Sequence, residues 1–122
     1  MTTKAEQLKE RSAQFASDVV RLVRQLPQTV EARTTGRQLI SAATSVAANY
    51  RAACKARSHA EFLSKIGIVV EEADESLFWL EFLIRAEIAS EAQVRALRSE
   101  ANQLTAIFVA SHRTASARHR AK

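Results

Sequence analysis

The sequence predicts an all-α fold, an antiparallel up-down-up-down four-helix bundle, and three observations carry that expectation. Apolar residues recur at alternating spacings of four and three in four separate segments. No segment alternates with period two, so strands are not expected. Two glycines and one proline in 122 residues leave few places for the chain to break. Short connections between long helices force neighbours to run antiparallel. A pair of long helical hairpins exchanged between chains would leave the same trace. The expected organisation is one domain over 1–112, with helices at about 4–26, 33–56, 59–87 and 91–111, followed by a basic flexible tail at 113–122.

In the first helix Leu8, Ser12, Phe15, Val19, Leu22 and Leu26 form one seam, which Pro27 closes. The second uses Leu39, Ala43, Val46, Tyr50 and Ala53, and the third Phe62, Ile66, Val69, Ala73, Leu77, Leu80 and Ile84. The fourth uses Val94, Leu97, Ala101, Leu104 and Phe108. Ser58-His59-Ala60-Glu61 and Ser90-Glu91-Ala92-Gln93 read as capping boxes ahead of the third and fourth helices.

Composition narrows the function classes. No apolar run approaches the roughly 20 residues that cross a bilayer, and MTTKAEQLKER has no signal-peptide core, so no membrane contact and a cytoplasmic location are expected. Cys54 is the single cysteine, which excludes an internal disulfide and a thiolate metal cage. It falls on the apolar side of its helix and reads as a small buried hydrophobe. The formal charge of +5 is uneven: Arg113, Arg118, Arg120 and Lys122 supply four of the five units. That tail lacks the apolar periodicity to fold and reads either as a phosphate-holding arm or as a solvated end.

Turned at about 100° per residue, the second helix gathers Arg33, Arg37, Arg51 and Lys55 into one stripe around Thr44, away from the Leu39/Val46/Tyr50 seam. Such a ridge suits phosphate contacts, and equally an ordinary solvated face or one paired with carboxylates. Asn49 sits at the edge of the same helix's core face, where its amide is placed to fix register by bonding a neighbouring helix. The third helix is apolar on a second side: Ile68, Phe78, Trp79 and Phe82 point away from its core seam, with Phe78 and Phe82 one turn apart. Contiguous aromatic surface rarely stays wet, so these four residues read as a self-association surface. The alternative is a docking site for a different protein.

Glu71, Glu72, Asp74 and Glu75 precede those aromatics and raise the question of a di-iron site. Such sites need two Glu-x-x-His pairs. This chain has none: its histidines are His59 at a cap and His112 and His119 near the end. No metal and no cofactor are expected, and the acids read as partners for the basic stripe, within a subunit or between subunits. No Gly-rich loop, activated nucleophile or carboxylate pair in a cleft suggests catalysis, so the chain reads as a non-enzyme.

Several of these residues together resemble the four-helix-bundle family of proteins encoded in ribosomal RNA intervening sequences. The carriers are Leu26-Pro27, the segment RQLISAATSVAAN from Arg37 to Asn49, Ser58 with Glu61-Phe62, and Glu75. The resemblance spans Phe15 to about Phe108. The chain departs from the family at Tyr50-Arg51-Ala52-Ala53, where relatives often have Ile-Ala-Glu-Gly, and at Glu71-Glu72, where a Gly-Ser pair is common. What the resemblance implies is a ring-like homo-oligomer, typically a pentamer. The fold is also similar to that of the accessory protein of diversity-generating retroelements, a basic pentamer that binds a reverse transcriptase and nucleic acid. The combined expectation is a non-enzymatic oligomeric scaffold. Its basic surface (Arg33, Arg37, Arg51 and Lys55) would contact RNA, DNA or a nucleic-acid-handling protein. The alternative is a protein–protein interaction module with no nucleic-acid role.

Overall fold

The computed structural model describes residues 1–121, and Lys122, the last cation of the expected tail, lies outside the described residues. Four helices occupy that span: α1 (Lys4–Arg24), α2 (Val30–Cys54), α3 (His59–Arg85) and α4 (Glu91–Ala121). No strand forms among the described residues.

Each helix start is explained by its cap. Thr3 accepts from the Glu6 amide at 3.1 Å while the Glu6 carboxylate takes the Thr3 amide at 3.2 Å, a complete capping box. Thr29 caps α2 through the Ala32 amide, so that helix begins three residues earlier than expected. Ser58 accepts from the Glu61 amide at 3.0 Å, and Ser90 and Gln93 bond reciprocally at 2.9 and 3.2 Å. The end of α3 is a Schellman turn. Ile88 N–H donates to the Leu83 carbonyl and Glu87 N–H to that of Ile84, with Glu87 left-handed at φ 61°.

The helices pack in the order α1, α2, α3, α4 and back to α1, and the α1–α4 seam is the thinnest. His59, opening α3, lies against Ala115 near the end of α4, and Val23 near the end of α1 lies against Gly36 near the start of α2. Neighbours are therefore antiparallel, as the short connections require. The core is mainly aliphatic, with Leu39, Val46, Ile66, Leu80 and Leu104 fully buried together with Phe108. Tyr50 stacks obliquely on Phe108 at 5.1 Å between ring centroids. Each such side chain stabilises the fold by roughly 1.5–3 kcal/mol through burial. Ser12 and Ser76 are also fully buried, and their hydroxyls donate to the Leu8 and Glu72 carbonyls one turn back.

Four expectations are corrected. The core line of α3 passes through Ser76 and Leu83, while Leu77 and Ile84 flank it half-buried. This helix packs against both α2 and α4, so its centre falls between two apolar lines. Cys54 is exposed, because Ala53 takes the core position and the next residue turns about 100° away. Asn49 bonds within its own helix, to the Ser45 carbonyl and hydroxyl, both at 2.9 Å. Finally, α4 does not stop before the basic tail but runs helically to Ala121, with Ala115 buried. The segment SHRTASARHRA contains no proline or glycine and is rich in alanine and arginine, both strong helix formers. Its cations also sit where the helix dipole favours them.

Candidate nucleic-acid interface

Helix α2 presents Arg33, Arg37 and Arg51 on its outer side and Lys55 at its C-cap, and all four are exposed. Thr44, midway, is also exposed, but its hydroxyl is occupied by the Ile40 and Ser41 carbonyls. Three arginines elsewhere are ion-paired: Arg11 with Glu100, Arg21 with Asp18 and Arg98 with Glu91. Among the described residues, none of the four stripe cations is. Spacing divides the stripe into two pairs, Arg33/Arg37 near the start of α2 and Arg51/Lys55 near its end, roughly 20 Å apart at 1.5 Å per residue.

The Arg51/Lys55 pair lies at the end of the bundle where α4 overhangs. His59 Nε2 is 2.8 Å from the Ala115 carbonyl, and the His59 and His119 rings stack at 5.9 Å. These contacts fasten the α4 extension to the start of α3. Arg113, Arg118 and Arg120 are thus carried on a helix at the end of the bundle where Arg51, Lys55 and Arg57 leave α2. Sequence reasoning placed these charges on a flexible tail. The missed signal was the alanine- and arginine-rich, proline-free composition of the segment.

The outer side of α3 is built differently. Phe78 is 54% exposed and Ile68 36%, while Trp79 and Phe82 are half-buried. The three aromatics touch one another: Phe78 meets Trp79 edge-on at 4.9 Å and stacks on Phe82 at 6.0 Å, and Trp79 meets Phe82 edge-on at 5.8 Å. The Trp79 indole N–H is buried with no acceptor, an arrangement that costs about 1–3 kcal/mol in a single chain. Glu71 and Glu75 are exposed between Ile68 and Phe78, and no carboxylate of the Glu71–Glu75 belt is ion-paired among the described residues. Stripe and belt do not neutralise each other within one chain.

Two further features bear on chemistry. Burial pushes the Tyr50 phenol well above its ordinary value, and Cys54, one turn on, adds to the effect. Arg11 is fixed by bonds to Glu100 at 2.6 and 3.1 Å and to Gln103 at 3.4 Å, bracing the α1–α4 seam. The hydrogen bond to Glu100 raises its pKa.

Comparison with known proteins places this arrangement. The pattern of the 23S rRNA-intervening sequence proteins matches residues 4–110. Among solved structures, the chain is similar to a protein of unknown function from the S23 ribosomal protein family of Bacteroides thetaiotaomicron VPI-5482. The two are 30% identical with a TM-score of 0.80, over 86% of this chain and 97% of that one. No curated protein matches.

Proposed function

Because the chain belongs to the 23S rRNA-intervening sequence protein family, we propose that it is a non-enzymatic scaffold that self-associates and contacts nucleic acid. Self-association uses the outer face of α3, where Ile68, Phe78, Trp79 and Phe82 surround Glu71 and Glu75. Assembly into a ring, a pentamer in the manner the family resemblance implies, repeats the α2 stripe around the particle. Weak phosphate contacts at Arg33, Arg37, Arg51 and Lys55 then add through multivalency.

The observation that carries the nucleic-acid reading is the contrast among the arginines. Arg11, Arg21 and Arg98 close on carboxylates, while among the described residues none of the four cations of the α2 stripe does, and all four stay open to solvent. Binding of labelled RNA and DNA at two salt concentrations tests it. Four phosphate contacts on a single strand give a loss of about 50-fold in affinity for a fourfold rise in salt. Salt-independent binding, or none at low salt, sinks the reading and leaves a protein–protein interaction module. A monomer whose Trp79 emission is quenched by added acrylamide assigns the α3 face to a different protein instead.

A further inference from the structure

The bundle carries a hollow that the scaffold reading does not use. It lies between the start of α1 and the last turns of α4, floored by the end of α2 and the start of α3, and has a volume of about 1120 Å³. A second hollow, near Gln14, Asp18 and Gln93, is about 400 Å³ and mixes acids with bases. We propose that the larger groove binds a small amphiphilic organic anion, with an aromatic or alkyl body and a phosphate or carboxylate head.

Residue size explains why the groove exists. Ala5, Ala53, Ala56, Ala110 and Ala115 line it where larger side chains would have closed the α1–α4 seam. The walls are nevertheless fixed. His59 Nε2 at 2.8 Å from the Ala115 carbonyl holds the α4 side, and Arg11 clamped to Glu100 holds the α1 side. Leu8, Tyr50, Phe62 and Ile107 supply apolar and aromatic surface for a ligand body.

Charge selects the head group. Among the described residues, no aspartate or glutamate lines the groove, although the chain has thirteen of them. Its rim carries Lys4 from α1 and Arg118 from α4, both exposed and, among the described residues, outside any ion pair. Arg11 is already satisfied by Glu100, so Lys4 and Arg118 are the cations that meet the anion. An organic cation finds no counter-charge here, and a bare inorganic anion leaves the apolar floor wet. Ser111, Thr114, Ala115 and Arg118 lie beyond the residues matched to the family, so one wall belongs to the α4 extension of this chain.

Titration of the full chain with 1-naphthyl phosphate, followed by equilibrium dialysis and by NMR shifts, tests the proposal, with 1-naphthol and inorganic phosphate as parallel arms. The expected result is one molecule bound per chain, at least about tenfold tighter than either arm, with shifts centred on Leu8, Tyr50, Phe62 and Ile107. Ala110→Leu, which fills the hollow, and Arg118→Glu, on the exposed rim, each weaken binding about tenfold or more with helix content unchanged. Equal affinity for naphthol and naphthyl phosphate, shifts elsewhere, or undiminished binding in both variants overturns it. Arg33 and Arg37 lie at the far end of α2, so Arg33→Glu with Arg37→Glu leaves naphthyl phosphate bound, and the groove and the stripe fail separately.

Discussion

On the outer side of α2 the residues turned to water include Arg33, Arg37, Arg51, Lys55 and Thr44; on the outer side of α3 they include Phe78 and Ile68, with Glu71 and Glu75 between. Both faces belong to helices with a complete inner core, so neither is needed to hold the fold together. They differ in what water does for them. An exposed guanidinium is well solvated and gains little from an ion pair at the surface, whereas an exposed phenyl ring gains roughly 25 cal/mol for each Å² it hides. In the proposed scaffold the α3 face would therefore supply the drive for association, and the α2 face the selectivity for what the assembly touches.

Removing that drive has the largest expected effect. Phe78→Ser with Phe82→Ser deletes two rings worth roughly 1.5–3 kcal/mol each when buried, so association weakens by at least about 100-fold. Sedimentation should then show a single species near 13.5 kDa, with melting temperature little changed. If the mass is several-fold higher before and after the change, the α3 face is not the contact. The matching change on α2, Arg37→Glu with Arg51→Glu, should leave mass and helix content untouched and abolish RNA and DNA binding, as fluorescence anisotropy reads it. Binding retained in that variant removes the stripe from the interface.

Much of the fold was legible in the sequence, and the omissions have physical reasons. The seams of α1, α2 and α4 are single lines, mostly of Leu, Val, Ala and aromatic residues, and every residue expected on them is buried except Leu8, which is half-buried. Caps at Ser58 and Ser90 announced themselves by a hydroxyl three residues before Glu or Gln, although only Gln93 reaches back: Ser58 caps the Glu61 amide with no return bond from the Glu61 carboxylate among the described residues. The centre of α3 was hidden because its apolar residues occupy more than half the circumference, and Ser76 looks polar until its hydroxyl is satisfied one turn back. The α4 extension was missed for the opposite reason: Arg113, Arg118 and Arg120 suggest solvent, while alanine propensity and the His59 contact keep the segment helical. The groove follows from that extension and from small residues scattered over α1, α2, α4 and the α2–α3 connection, a pattern no linear reading assembles.

The contrast between α2 and α3 extends inward to their glycines. A Cβ at Gly36 would lie 2.8 Å from Val23 Cγ1. Valine is stiff at χ1 and cannot swing aside. Gly36→Ala gains about 1 kcal/mol of helix propensity but overpacks the α1–α2 seam by about 1–3 kcal/mol, so a net loss of up to about 2 kcal/mol in chemical denaturation is expected. A gain would mean that the seam relaxes easily. At the end of α3, Glu87 holds a left-handed φ of 61° that a side chain pays for and glycine does not. Glu87→Gly should raise stability by roughly 1 kcal/mol, and a fall would show that the Glu87 side chain contributes something the Schellman turn does not explain.

The smallest effect sharpens the comparison most, because it uses the same substitution on the other helix. Gly67, in α3, would place a Cβ 3.7 Å from His112 Nε2, an ordinary van der Waals distance, and its φ is not positive. Nothing resists the methyl group, so Gly67→Ala should keep most of the propensity gain, up to about 1 kcal/mol, where Gly36→Ala loses. Opposite signs for one chemical change, read as shifts in denaturation midpoint at constant m-value, would locate tight packing at the α1–α2 seam and slack at the α3–α4 seam beside the overhang. Equal signs would mean that the two seams are packed alike, and that α4 is held along its length as firmly as α1 is held against α2.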